Sequence, residues 1–144
     1  MKGLGQNRRA FLKKSSIGAL GLTILPWSIK AVAPSDTLRV AHIGVGGMGN
    51  NHIKWFANLP EVKIVALCDV DQTHLASSIS NLAAMQPDWK VDTYEDFRHI
   101  LDRQDIDAIT CATPDHWHAT IGSLAFQAGK DVYGEKPLSY DVSE

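Results

Sequence analysis

Hydrophobic runs of two kinds alternate along the chain from residue 36 onward. Short stretches rich in β-branched residues predict five strands, at residues 38–44, 62–68, near 91, at 106–111 and from 131. Between them, apolar residues recur at helical spacing and predict four helices. The helical positions are, in order, Ile53, Phe56 and Ala57; Leu75, Ile79 and Leu82; Phe97, Ile100 and Leu101; and Trp117, Ile121, Leu124, Ala125 and Ala128.

This alternation predicts βαβ units, which build a parallel sheet with right-handed crossovers. The strands are almost continuously apolar, as expected for a sheet that helices cover on both faces. We therefore predict an α/β fold, a Rossmann-type doubly wound parallel sheet. We expect the strand order 3-2-1-4-5 and a single domain over residues 36–144, a length that suits one hydrophobic core.

Local signals mark several helix ends. Thr93, followed three residues later by Asp96, has the form of a capping box before the short third helix. Asp71 is placed to cap the second helix, and Gly129 to end the fourth as its C′ residue.

Residues 1–35 have the composition of an export signal. The paired Arg8 and Arg9 precede Phe11-Leu12-Lys13, and a weakly hydrophobic, glycine-containing run follows over residues 17–25. The pattern resembles a twin-arginine signal, with Asn7 in place of the usual Ser or Thr, and predicts export to the periplasm through the twin-arginine machinery. The alternative is an amphipathic helix packed on the domain, which the glycines disfavour.

The cleavage site stays open between alternatives. Ala31-Val32-Ala33 has the small-x-small form, but the Pro34 that follows usually obstructs the peptidase. A cut after Ser35 and an uncleaved membrane anchor are the other two possibilities.

Charge divides the chain at the same boundary. Residues 1–35 carry six basic residues and no acid, whereas residues 36–144 carry eight basic and sixteen acidic residues, a net charge of −8. Because phosphate backbones need a basic face, we expect no nucleic-acid partner. No stretch reaches about 18 uninterrupted apolar residues, so we expect no standard membrane span.

Cys68 and Cys111 are the two cysteines, each at the end of a predicted strand. The predicted strand order does not make those two strands neighbours. We therefore expect no disulfide and interpret both side chains as small, buried and apolar.

The first predicted strand runs into a glycine-rich turn at residues 44–49, with the G-x-G-x-x-G spacing of dinucleotide-binding folds. Gly44 permits the tight turn, Gly46 the approach of a pyrophosphate to the backbone, and Gly49 close packing of helix and strand. The spacing alone is a weak signal, but here it follows a strand and precedes a helix, as that function requires. The helix N–H groups would then face the phosphates.

Asp69 ends the second predicted strand, 20 residues after Gly49. A carboxylate at that position accepts hydrogen bonds from the adenosine ribose hydroxyls, and its charge repels a 2′-phosphate. The alternative is a turn or helix-cap role for Asp69. The glycine-rich turn, its position between a strand and a helix, and Asp69 together predict binding of NAD in preference to NADP.

Two further segments leave the sheet at its carboxyl edge, where doubly wound sheets collect ligands. The fourth strand runs into a corner at residues 113–118, and the fifth runs into Glu135-Lys136-Pro137. A lysine at such an edge can polarise a substrate oxygen or move a proton. The alternative is an ordinary surface Lys–Glu turn.

Together, the glycine turn, Asp69, the Thr113-Pro114-x-x-x-His118 corner and Glu135-Lys136-Pro137 resemble one family. That family is the glucose–fructose oxidoreductase, inositol dehydrogenase and rhizopine-catabolism (Gfo/Idh/MocA) family, and the resemblance covers about residues 37–144, its N-terminal domain. It implies an NAD(P)-dependent oxidation or reduction of a sugar or cyclitol hydroxyl by hydride transfer to or from nicotinamide.

The resemblance also implies residue roles along the cofactor. It places Gly44, Gly46, Met48 and Gly49 at the pyrophosphate and Asp69 at the ribose. It places Thr113, Pro114 and His118 beside the nicotinamide, and Glu135 and Lys136 at the nicotinamide ribose and substrate. Lys136 is the residue to which the family most often gives a role in proton transfer.

The chain departs from the family in two ways. Asp115 stands where many members have Asn, and the second, α+β domain of the family is missing. That domain supplies the oligomerisation sheet, most substrate contacts and the usual catalytic His, so we expect a piece of a longer, homo-oligomeric enzyme, inactive alone. Two alternatives stay open: an NAD-assisted, redox-neutral glycoside hydrolase or lyase, and a nucleotide-binding module without turnover.

The histidines have simpler interpretations. His116 and His118 form an H-x-H pair, but without further ligands at the right spacing we expect no metal. We expect His42 to be a buried imidazole with its hydrogen bonds satisfied. Other aromatic side chains fall on predicted helices: we expect His52, His74 and His99 to be solvated, and Trp55 and Trp117 to pack on the sheet.

Overall fold

A five-stranded parallel sheet organises the part of the chain that this computed structural model describes, residues 37–141 and 143. Its strands are β1 (Leu38–Ile43), β2 (Val62–Cys68), β3 (Asp92–Tyr94), β4 (Ala108–Cys111) and β5 (Asp131–Gly134). They lie in the order β3-β2-β1-β4-β5, and each neighbouring pair is parallel, as predicted. The export-signal prediction for residues 1–35 lies outside the described residues.

Helices cover both faces of this sheet. They are α1 (Gly47–Ala57), α2 (Gln72–Met85), α3 (Arg98–Leu101) and α4 (His118–Gln127), the last preceded by a 3₁₀ turn over Asp115–Trp117. One buried cluster joins the sheet to α1 and α2 through Ile53, Leu75 and Leu82, and a larger one joins it to α3 and α4. The doubly wound, Rossmann-like fold is therefore confirmed. None of the helices in the described range is long and apolar enough to cross a bilayer.

Helix α2 turns a different face to the sheet from the one its apolar spacing predicts. Leu75 and Leu82 are buried as expected, but Ile79 is 39% exposed and Ser78 is buried in its place. The Ser78 hydroxyl donates a hydrogen bond to the Val45 carbonyl at 3.1 Å. Because i, i+3 and i+4 all share one helix face, apolar spacing alone did not distinguish Ser78 from Ile79.

Two of the predicted helix ends are confirmed and one is wrong. Asp71 accepts a hydrogen bond from the Thr73 N–H at 2.7 Å, and Gly129 follows α4 with a φ of +74°. Thr93, however, lies within β3. It is the Asp96 carboxylate that accepts the Arg98 N–H at 3.0 Å, so the acid rather than the threonine satisfies the start of α3.

Both cysteines are buried and free, on β2 and β4, which lie on opposite sides of β1. Burial raises the pKa of the Cys68 thiol to about 12 and also raises that of Cys111. The prediction of small buried thiols is confirmed. The prediction for the helix tryptophans is wrong, because Trp55 and Trp117 are 54% and 45% exposed.

Candidate functional site

The carboxyl ends of four strands stand in one row. Ile43 pairs with Cys68 on one side and Cys111 on the other, and Cys111 pairs with Gly134. Backbone hydrogen bonds continue one residue further, since the N–H groups of Gly44 and Glu135 donate to the carbonyls of Cys68 and Cys111 at 2.8 and 2.9 Å. Four loops therefore leave the sheet side by side. With strands about 4.8 Å apart, this row spans roughly 14 Å from Asp69 to Glu135.

The centre of the row is the glycine turn between β1 and α1. Gly44 has a φ of +80°, and a Cβ there would lie 2.7 Å from the Ala112 backbone carbon. A Cβ on Gly49 would overlap the carbonyl oxygen of Gly44. Only glycine fits at either position, because one needs the left-handed conformation and the other the contact of helix with strand.

The amino end of α1 opens on this edge without a side-chain cap. Its first N–H groups have no partner within the helix, so the partial positive charge of the helix end is directed at the row. A Cβ on Gly47 would meet nothing within 4 Å, whereas one on Gly46 would lie 2.9 Å from the His74 imidazole, closer than van der Waals contact allows. This backbone cradle fits a pyrophosphate, which takes its hydrogen bonds from such N–H groups.

Asp69 lies beside the cradle at the end of β2. Its Oδ2 accepts the Val45 N–H and its Oδ1 accepts the Asp71 N–H, both at 2.9 Å. Asp69 therefore does have the turn role that the sequence analysis kept as an alternative. A carboxylate oxygen has two lone pairs, so Asp69 keeps one on each oxygen for the hydroxyls of a ribose.

His74 forms part of the same wall, which sequence analysis missed. Its Nδ1 lies 3.5 Å from Asp69 Oδ2 and its Nε2 3.9 Å from Asp71 Oδ2, with the side chain half exposed. The position of His74 in the first turn of a predicted helix could have indicated this contact, because a side chain in the first turn points back over the amino end of its helix. In α2 that direction leads to the end of β2.

At the other end of the row, His118 ties two loops together. Its Nε2 lies 2.8 Å from the Thr113 carbonyl and its Nδ1 lies 2.6 Å from the Pro137 carbonyl, and the ring is buried. Both acceptors are carbonyl oxygens, so a neutral ring can donate to only one of them. Pro114 is exposed at this corner. The structure thus gives His118 a structural role that joins the residue 113–118 corner to the loop after β5.

Glu135 and Lys136 differ sharply in their surroundings. Glu135 Oε1 lies 2.9 Å from His52 Nε2, and Oε2 accepts the Lys136 N–H at 3.3 Å. The His52 hydrogen bond lowers the pKa of Glu135, so the carboxylate is ionised at neutral pH. The Lys136 side chain is exposed, and its ammonium has no hydrogen bond or ion pair with the part of the chain that the structure describes.

Two histidines behave differently from expectation. His52 is fully buried rather than solvated, because it shares the inward face of α1 with Gly49 and Ile53. Its spacing from Gly49 and Ile53 along the predicted helix could have indicated this burial. His42 is buried with Nδ1 2.5 Å from Thr110 Oγ1, but its Nε2 has no partner among the described residues, so it is only half satisfied. Burial, and then the proximity of His52, lower the pKa of His42 to about 3.

Comparison with known proteins agrees with this geometry. The family model of the Gfo/Idh/MocA oxidoreductases, described by its NAD-binding Rossmann fold, matches residues 38–144. The crystal structure of myo-inositol dehydrogenase from Lactobacillus casei, in complex with NAD(H) and myo-inositol, is 27% identical with a TM-score of 0.65. The match covers 72% of this chain and 29% of that one.

Two relatives carry a different activity in their names. A glycosyl hydrolase family 109 protein of Shewanella pealeana is 33% identical over 96% of this chain and 35% of its own length. An alpha-N-acetylgalactosaminidase of Shewanella oneidensis is 33% identical over 81% of this chain and 26% of its own length. The chain therefore spans about a third, or less, of the length of the relatives it matches.

Proposed function

The chain belongs to the Gfo/Idh/MocA oxidoreductase family and contains an NAD-binding Rossmann domain, and we propose that it is the cofactor-binding part of an enzyme that oxidises or reduces a hydroxyl group of a sugar or polyol. One observation carries the proposal. The exposed ammonium group of Lys136 belongs to the same row of strand ends as a turn that only glycine fits.

We propose that the cofactor lies along this row of loops. The uncapped start of α1, with Gly44, Gly46, Met48 and Gly49, would hold the pyrophosphate, and Asp69 the adenosine ribose. The far end of the row would hold the nicotinamide half, beside Thr113, Pro114, Glu135 and the positioning residue His118. NAD, when bound, supplies a ring that exchanges a hydride with the substrate carbon.

Lys136 would meet the reacting hydroxyl. Its ammonium can donate a hydrogen bond to the substrate oxygen, stabilise developing negative charge there and carry the proton. Glu135 forms no ion pair with this ammonium, because its carboxylate is held in another direction, by His52 Nε2 and by the Lys136 backbone N–H. Further substrate contacts are a matter for the whole enzyme.

Cofactor binding is the first test. Isothermal titration of the purified chain with NAD should show saturable binding, and no heat at millimolar NAD would overturn the proposal. In the enzyme that contains this domain, NADH should accumulate from NAD with a panel of inositols and hexoses. Lys136→Met should abolish that signal, whereas Lys90→Met, at a residue distant from this edge, should not.

A second candidate function is redox-neutral glycoside hydrolysis, which the two Shewanella relatives favour. In that case the same enzyme would release the sugar from an α-N-acetylgalactosaminide in the presence of NAD without net NADH. Accumulation of NADH without release of the aglycone separates the first proposal from this one.

We also propose that the protein is exported to the periplasm with its cofactor bound. This proposal is based on segment 1–35, which is basic and contains glycines. Free NAD is scarce outside the cytoplasm, so the cofactor would be acquired before export. Cell fractionation tests this: replacing Arg8 and Arg9 by Lys should retain the protein in the cytoplasm.

We further propose that the whole enzyme is a homo-oligomer, which light scattering of the purified enzyme would show.

A further inference from the structure

We propose that His52 is a positioning residue that holds the Glu135 carboxylate at the nicotinamide end of the site and so keeps the Lys136 ammonium available to substrate. The inference rests on the proposed function, because it assumes NAD along this row of loops.

The contact joins two parts of the site that are far apart in sequence. His52 lies on α1, the helix whose amino end forms the pyrophosphate cradle, and Glu135 follows β5. The two side chains meet at 2.9 Å, between Nε2 and Oε1. Because an ionised carboxylate only accepts, Nε2 carries the proton and donates a charge-assisted hydrogen bond. This one side-chain contact thus links α1 to the loop that carries Lys136.

The environment of His52 fixes the direction of that bond. The imidazole is completely buried, with the Tyr133 ring edge-on at 5.3 Å between centroids and the Trp55 ring at 5.6 Å. Neighbours on two elements therefore leave the ring little freedom to turn. The Glu135 side chain at the other end is 21% exposed, so it reaches from the interior to the site.

An apolar residue would serve packing better than His52 does. The Nδ1 atom of the ring is buried without a hydrogen-bond partner among the described residues, which destabilises the fold. A leucine would fill a similar space without that unsatisfied atom. The hydrogen bond to Glu135, and not the packing of the core, therefore explains why residue 52 is a histidine.

Release of Glu135 would change the chemistry next to it. With His52 in place, one carboxylate oxygen faces the imidazole and the other the Lys136 N–H. Without it, the carboxylate is free to rotate and to form an ion pair with the neighbouring ammonium. Such a pair would occupy the donor that a substrate oxygen needs and withdraw the carboxylate from the nicotinamide ribose.

The test compares NAD with ADP, which lacks both the nicotinamide ring and the ribose that carries it. We expect His52→Leu to weaken NAD binding by about tenfold, because the Glu135 carboxylate is no longer held at the nicotinamide ribose, while ADP affinity changes less than twofold. His52→Gln, whose amide can still donate to Glu135, should recover most of the NAD affinity. Lys54→Leu, on the exposed face of the same helix, is the matched control and should change neither affinity.

A double-mutant cycle tests the route of the effect. In a Glu135→Ala background, His52→Leu should cause little further loss of NAD affinity, because the hydrogen-bond acceptor of His52 is gone. Equal losses of NAD and ADP affinity, an undiminished loss in the Glu135→Ala background, or no loss of NAD affinity would each overturn the inference. His52→Gln and Glu135→Ala keep these comparisons available where His52→Leu does not fold. Wild-type chain that binds neither ligand would instead overturn the proposed function itself.

Discussion

The carboxylate of Asp69 accepts the backbone N–H of Val45 at 2.9 Å, so the acid that ends β2 also holds the turn that leaves β1. This bond joins the two parts of the proposed dinucleotide site. It means that Asp69 contributes to the shape of the glycine turn, in addition to the ribose contact that we propose for it. Substitutions at Asp69 therefore report on stability and on specificity together.

We expect Asp69→Ser to lower the ratio of NAD affinity to NADP affinity by tenfold or more, about 1.4 kcal/mol, because a repulsive charge and a ribose acceptor are both lost. The variant should also lose about 1–3 kcal/mol of unfolding free energy, since the Val45 and Asp71 N–H groups lose their acceptor. Calorimetric titration with both cofactors measures the ratio. Asp71→Ser, which keeps a helix-capping hydroxyl, is the control and should leave the ratio unchanged. An unchanged ratio in Asp69→Ser would remove Asp69 from the ribose site.

Gly49 and Gly47 form a matched pair within one helix turn. Gly49→Ala would press its methyl group into the Gly44 carbonyl, so we expect a loss of about 2 kcal/mol or more in denaturant unfolding. Gly47→Ala meets nothing within 4 Å and should raise stability by up to about 1 kcal/mol, because alanine favours helix. Equal stability of the two variants would show that the helix does not approach the strand as described.

His42 makes stability depend on pH on the acidic side. Its folded-state pKa, about 3, lies below the ordinary value of 6.5, so the unfolded chain takes up a proton that the folded chain refuses. Stability is therefore full above pH 6.5 and falls as the pH drops below it, by at most about 1.4 kcal/mol per pH unit from this group. Urea unfolding between pH 6 and pH 4.5 should show a shallower decline for His42→Leu than for wild type. The exposed His116→Gln is the control, and an identical slope in His42→Leu would contradict the assignment.

The two buried thiols should resist reagents in the folded protein. Because burial raises the pKa of both Cys68 and Cys111, few thiolates exist at pH 8 and access is blocked. We expect negligible reaction with a disulfide reagent in buffer and two thiols per chain in denaturant. Rapid reaction of one thiol in the native protein would place that cysteine outside the core.

Much of the fold was predictable because it depends on local and repeating features. Strand β2 was predicted with the bounds that the structure shows, and the five strands have the order expected for a Rossmann-type sheet. Errors came where a local pattern is degenerate. Ser78 and Ile79 both satisfy helical spacing, and a Thr–Asp pair satisfies a capping box whether or not Thr93 is in a strand.

For the site, sequence located the loops but not all of their contacts. The turn at Gly44 to Gly49 and the position of Asp69 were readable, since each follows its strand directly. The roles of His52 and His74 were not. His52 was expected in solvent, yet it meets a residue 83 positions away, and His74 lies beside an acid on a different element.

The amino-acid sequence determined which segments become strands, where the chain needs glycine and which loops carry chemically active groups, because these depend on neighbours within a few residues. Tertiary structure alone decided which side chains meet: Asp69 with the Val45 N–H, His118 with the Pro137 carbonyl, and His52 with Glu135. Such contacts form only when strands from distant parts of the chain align their ends. A hydrogen bond depends on distances of a few tenths of an ångström, which local pattern does not encode.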